Sequence, residues 1–161
     1  MTTVFRAFVL ATFTSLALAT SGVAQPQDAF SLGFQAYERG DYTTALRFLR
    51  PLAEQGNARA QYNLGIMYDN GEGVPENDAE AVKWYRLAAD QGLAFAQSGL
   101  GLMYANGKGL PRDYAEGYKW LALAAAQHDE FASQRDAVRR LMTPAQVAEA
   151  QKLAAEWKQK E

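Results

Sequence analysis

An all-α solenoid of stacked antiparallel helix pairs, closed by a C-terminal capping helix, is the fold class that this 161-residue sequence predicts. Three observations predict it. Residues 60–95 and 96–131 align at an offset of 36 without a gap, with 19 of 36 positions identical; that period belongs to helical repeat arrays. Within each copy the apolar residues recur at helical spacing, and Asn-Gly marks the place where a helix has to stop. The chain also has no cysteine, so the domain is held by packing and not by disulfides.

The first 24 residues are a different material. They carry one charge, Arg6, then the apolar run from Ala7 to Ala19, then small residues ending Gly22-Val23-Ala24. This pattern predicts a secretory signal peptide cleaved after Ala24, or alternatively after Ala19. Thirteen helical residues span about 20 Å, short of the roughly 30 Å hydrocarbon core, so a retained span is the weaker reading. Without cysteine no lipobox is possible, which excludes a lipoprotein. Removal of this segment leaves 137 residues at charge −3, from 15 basic and 18 acidic groups. The expected product is an exported protein, periplasmic or secreted, with no stable membrane span after cleavage.

The repeat domain is expected over residues 25–142. It holds a partial first unit (30–59), the two full units (60–95 and 96–131) and a further helix near 129–141. In each full unit a helix A runs over about 58–69 or 94–105. Ala60, Leu64, Met67 and Tyr68 stand on one face of it, at the i, i+4, i+7, i+8 spacing. Helix B opens at Asn77 or Asp113, followed three residues later by Glu80 or Glu116; this predicts a reciprocal capping box. Its buried face is Ala81, Trp84, Tyr85 and Ala88, repeated as Gly117, Trp120, Leu121 and Ala124. The first unit has Leu32-Gly33 where the second has Leu64-Gly65, a four-residue deletion in its loop, and a Gly-Asp-Tyr turn at 40–42.

Two helices follow the units. The first, near 129–141, places Phe131, Gln134, Val138 and Leu141 on one face. The second, within 143–161, starts with Thr143 as N-cap, Pro144 at the first helical position and Gln146 as capping-box partner. Val147, Ala150, Leu153, Ala154 and Trp157 form its apolar stripe. A terminal helix with one apolar and one polar side seals the last open face of a solenoid.

Composition removes most catalytic chemistry. With no cysteine, thiol catalysis, zinc–thiolate sites and iron–sulfur clusters are excluded. A single histidine, His128, excludes multi-histidine metal sites. A net charge of −2 and a pI near 5.5 argue against nucleic acid, and Arg139-Arg140 is too short a basic run to change that. The loops at 71–73 and 107–109 lack the G-x-x-x-x-G-K-[ST] pattern of a phosphate loop and read as turns, although Lys108 offers a cation. Ser31, Ser98 and Ser133 are the serines beyond residue 24, and none sits in a nucleophile elbow. No catalytic residue, cofactor site or metal site is expected.

The string Leu-Gly-x-Met-Tyr-x-Asn-Gly-x-Gly-Val/Leu-Pro, followed by Ala-Glu, Lys-Trp, Ala-Ala and Gln-Gly, resembles the Sel-one-like repeat, a relative of the tetratricopeptide repeat. The resemblance covers about residues 30–131, and the ending from Met142 resembles the capping helix of bacterial members. It implies a right-handed superhelix and an adaptor or scaffold role in protein complexes, often in bacterial envelope or signalling settings. Penicillin-binding and beta-lactamase activity have been proposed for cysteine-rich secreted relatives, whose repeats are stapled by disulfides. That branch supplies an alternative function, which the absence of cysteine here sets apart. A structural, self-associating role is a second alternative.

The sharper candidate is the concave surface lined by the A helices. By register with the tetratricopeptide-like pattern, its outward positions are Phe30, Phe34 and Tyr37 in the first unit. They are Tyr62, Ile66 and Asp69 in the second, and Ser98, Leu102 and Ala105 in the third. Exposed aromatic residues in a groove are good anchors for a peptide because they add contact area at low entropic cost. The expectation is a non-enzymatic adaptor of the bacterial cell envelope that binds a peptide or protein segment on this face.

Overall fold

Glycine sets the end of the first helix in each full pair. Gly71 and Gly107 stand at φ 69° and 68°, a left-handed conformation that costs other residues about 1 kcal/mol or more. Their N–H groups bond back to the carbonyls of Met67 and Met103. These ends belong to a computed structural model that describes residues 26–159.

Eight α-helices and one 3-10 turn follow in order, and no strand occurs among the described residues. They are α1 (Pro26–Glu38), α2 (Tyr42–Glu54), α3 (Ala58–Asn70), α4 (Asp78–Asp90), α5 (Ala94–Asn106), α6 (Tyr114–Gln127), the 3-10 turn (Asp129–Phe131), α7 (Ala132–Arg139) and α8 (Pro144–Glu156). Packing is heaviest within the pairs α1/α2, α3/α4 and α5/α6. Each pair leans on the next through α2/α3 and α4/α5, and α7 and α8 both pack on α6. This is the stacking of a solenoid, in which each unit touches its neighbours. The expected signal peptide at 1–24 lies outside the described residues.

The predicted buried face of helix B is buried in both copies, and Trp84 and Trp120 are 7 % and 2 % exposed. Helix B comes close at Tyr85 and Leu121 because helix A carries glycine where they cross it. A Cβ on Gly65 lies 2.5 Å from the Tyr85 ring, and one on Gly101 lies 2.8 Å from Leu121 Cγ and 2.9 Å from the Gly117 carbonyl. Leu32 breaks the analogy with Leu64. It is exposed, because no described helix precedes α1 to cover it.

Glutamines tie the turns together in a pattern that repeats at 36 residues. Buried Gln61 donates from Nε2 to the Ala53 carbonyl at 3.0 Å and accepts from Gln91 Nε2 at 2.8 Å. Buried Gln97 does the same with Ala89 and Gln127, at 3.3 and 2.9 Å. A buried donor left without its acceptor costs about 1–3 kcal/mol, so each of these amides needs its partner.

Three local expectations are corrected. Asn77 and Asp113 do cap α4 and α6, but the reciprocal half of the box is absent. The Glu80 and Glu116 carboxylates turn instead to Lys83 and Lys119, one helical turn on, at 3.4 and 2.6 Å. The full capping box forms at Thr143 and Gln146. The helix expected over 129–141 is a 3-10 turn followed by the shorter α7, and Leu141 lies beyond its end, 62 % exposed. In α8 only Ala150 is fully buried. Trp157 stands just past the helix and meets Trp120 edge-on, with ring centres 6.1 Å apart.

Candidate functional site

The A helices α1, α3 and α5 present one side to a shared groove. Phe30 and Phe34, four residues apart on α1, point the same way and stack with ring centres 6.0 Å apart. Tyr62 and Ile66 repeat that spacing on α3. Tyr62 lies 5.9 Å from the Tyr85 ring and 6.1 Å from Phe95, the second residue of α5. The groove encloses about 580 Å³, within the range of small-ligand and side-chain pockets. Its far wall is the turn into α5 (Gly92, Leu93 and Ala94) together with Gln127 and His128.

Of the sequence-predicted positions, Phe30, Phe34, Tyr37, Tyr62 and Ile66 line this groove. Asp69 does not. It stands in the last turn of α3, where it accepts from Lys108 at 2.5 Å and from the Tyr85 hydroxyl at 3.4 Å. Ser98 is buried, and its hydroxyl donates to Gln134 Oε1 on α7 at 2.7 Å. Leu102 and Ala105 pack into the cluster built on Tyr118, Leu121 and Val138. The third unit therefore has its helix-A face covered by α7, and the groove belongs to the first two units and the edge of the third.

Arg59, Phe95 and His128 line the groove without having been singled out as binding positions. Arg59 and Phe95 occupy the same repeat position, second in helix A, which the 36-residue offset pairs directly. His128 ends α6 exposed, its ring 5.9 Å from Phe95 and 6.2 Å from Phe131.

Electrostatics at the other end of the groove are internally satisfied. The Tyr37 hydroxyl donates to Glu72 at 2.8 Å. Burial, reinforced by that carboxylate, pushes the Tyr37 phenol well above its ordinary pKa. Burial does the same for Tyr62 and Tyr85, so these phenols stay neutral at physiological pH. The Lys108 ammonium is held by Asp69 and Asp78. It ties the third-unit loop to the second unit and is not a free anion-binding group. No group of three or more metal-ligating side chains occurs among the described residues, and no helix there is long and apolar enough to cross a membrane.

Residues 26–57, 58–93 and 94–129 match the sequence profile described as the Sel1 repeat. Over 58 residues the chain is 40 % identical to an exopolysaccharide production negative regulator of Rhizobium leguminosarum bv. viciae, covering 36 % of this chain and 22 % of that protein. Over 51 residues it is 41 % identical to the rat DAP3-binding cell death enhancer 1, covering 32 % of this chain and 10 % of that one. The chain thus spans less than a quarter of the length of either relative. Among solved structures it resembles a protective antigen of uropathogenic Escherichia coli with an SLR fold, at TM-score 0.78 and 29 % identity, over 83 % of this chain and 30 % of the other. It also resembles a Sel1 repeat protein of Oxalobacter formigenes, at TM-score 0.62 and 37 % identity, over 69 % and 86 %.

Proposed function

Since the chain belongs to the Sel1 repeat family, whose members generally mediate protein–protein interaction and are typically non-enzymatic, we propose that it is an adaptor of the bacterial cell envelope. In this reading a peptide or protein segment is captured in the groove of α1, α3 and α5 by shape and apolar contact, with no covalent chemistry. One observation carries it: Phe30, Phe34, Tyr62 and Phe95, from three successive A helices, converge on a single cavity of about 580 Å³. Phe34 and Phe95 are 37 % and 45 % exposed, and solvent-facing rings at the centre of a groove are the usual energetic anchors of an interface. The signal-like composition of residues 1–24 supports export to the periplasm or beyond.

The test compares proteins captured from an envelope extract by the wild type and by a Phe34→Ala, Tyr62→Ala variant of matched thermal stability. Specific loss of a captured protein from the variant supports the groove. Equal capture places binding elsewhere on the solenoid. N-terminal sequencing of the chain recovered from a cell envelope tests export, with a start at Gln25 or Thr20 expected.

A further inference from the structure

We propose that the groove takes an apolar peptide segment carrying an acidic side chain, whose carboxylate docks on the Arg59 guanidinium. This deepens the groove reading above and rests on it. Arg59 is exposed, and its guanidinium has no hydrogen-bond or ion-pair partner among the described residues. No aspartate or glutamate lines the cavity. At the Tyr37 end two carboxylates are occupied, Glu72 by Tyr37 and Asp69 by Lys108. The lining therefore carries a cation and no carboxylate, on a chain whose formal charge is −2. Attraction for an acid is confined to this one place, which gives specificity more than bulk affinity.

The repeat register sharpens the point. The position held by Arg59 is Phe95 in the next unit, and Phe131 one period further. A cation stands where the two later positions in register carry rings and the first unit carries Gln27. Guanidinium binds a carboxylate through two parallel hydrogen bonds, which adds geometric specificity to the charge attraction. Arg59 is on the middle helix of three, with Phe30 and Phe34 on one side and Phe95 on the other. An acid docked there has apolar wall on both flanks, which suits a residue inside a segment and not a chain terminus.

The experiment is fluorescence anisotropy on the full chain with labelled, N-acetylated and C-amidated peptides of core Phe-Leu-X-Leu-Phe, where X is Glu, Gln or Lys. A fourth peptide has X as Gln and a free C-terminal carboxylate. The Glu peptide is expected to bind the wild type roughly threefold to tenfold tighter than the Gln peptide, and the Lys peptide weaker still. In Arg59→Gln the Glu-over-Gln preference collapses, and in Arg59→Lys part of it is retained. Phe34→Ala weakens all the peptides together. Equal binding of the Glu and Gln peptides to the wild type, or a preference that survives Arg59→Gln, overturns the acid docking while the Phe34→Ala loss leaves the groove standing. Tightest binding by the free-carboxylate peptide overturns it in favour of a chain terminus. Absence of binding by every peptide overturns the groove as well.

Discussion

The Tyr37 hydroxyl donates to Glu72 across 35 residues of chain, at 2.8 Å, and joins the end of α1 to the loop after α3. One unit later the equivalent positions are Asp69 and Lys108, which also pair. The two joints reverse their polarity: the helix residue donates in the first, and the loop residue donates in the second. The register between units is thus held at the same place by complementary chemistry.

Alkaline pH should loosen both joints. The Tyr37 phenol and the Lys108 ammonium have folded-state pKa values raised above ordinary values of 10.0 and 10.5, Tyr37 chiefly by burial and Lys108 chiefly by its hydrogen bond to Asp69. A raised pKa means that the folded state holds the proton more tightly. The contribution is therefore complete below about pH 10 and lost as pH rises through the shifted values. Melting temperature is expected to fall above pH 10, and less steeply in a Tyr37→Phe, Lys108→Met variant. An unchanged slope in the variant would assign the alkaline loss to other groups.

Removing Lys108 alone at neutral pH is expected to cost little, about 0.5–1 kcal/mol, because its side chain is 39 % exposed and solvent screens the pairs. Urea unfolding of Lys108→Met measures this directly.

Close helix approach makes Gly101 sensitive. Gly101→Ala drives a methyl group against Leu121 and the Gly117 backbone, and backbone yields less readily than a flexible side chain. A destabilisation of about 1–3 kcal/mol is expected, read as a fall of several degrees in melting temperature by circular dichroism.

Gln97→Ala removes a fully buried amide that serves two partners. A loss of about 1–3 kcal/mol is expected, exceeding that of Gln127→Ala, whose side chain starts from an exposed position. The two variants measured side by side in chemical denaturation decide the order.

Trp157→Ala uncovers Trp120, which is 2 % exposed beneath its edge-on partner. The expected signs are a red-shifted tryptophan emission and a loss of about 1–2 kcal/mol for a half-buried aromatic side chain.

The repeat made most of this architecture readable. Helix ends at Gly71 and Gly107, caps at Asn77 and Asp113 and the buried Trp84 and Trp120 all follow from local rules applied twice. Glu80 and Glu116 escaped those rules because a lysine three residues on competes for each carboxylate. The groove was half readable. The aromatic residues of α1 and α3 stood at positions that periodicity assigns outward, but Ser98 and Leu102 stood at the same positions and are covered.

By itself the sequence determined the fold class, the order of the helices in the repeat units and the residues that fill the layers of the two full units, because these depend on spacing within one unit and on its copy in the next. Only the tertiary structure decided where the groove ends. That depends on α7 folding back over the third unit, on Ser98 finding Gln134, and on Arg59 being left without a partner beside Phe30 and Phe95. Contacts between elements distant in the chain set these outcomes, and no local period encodes them.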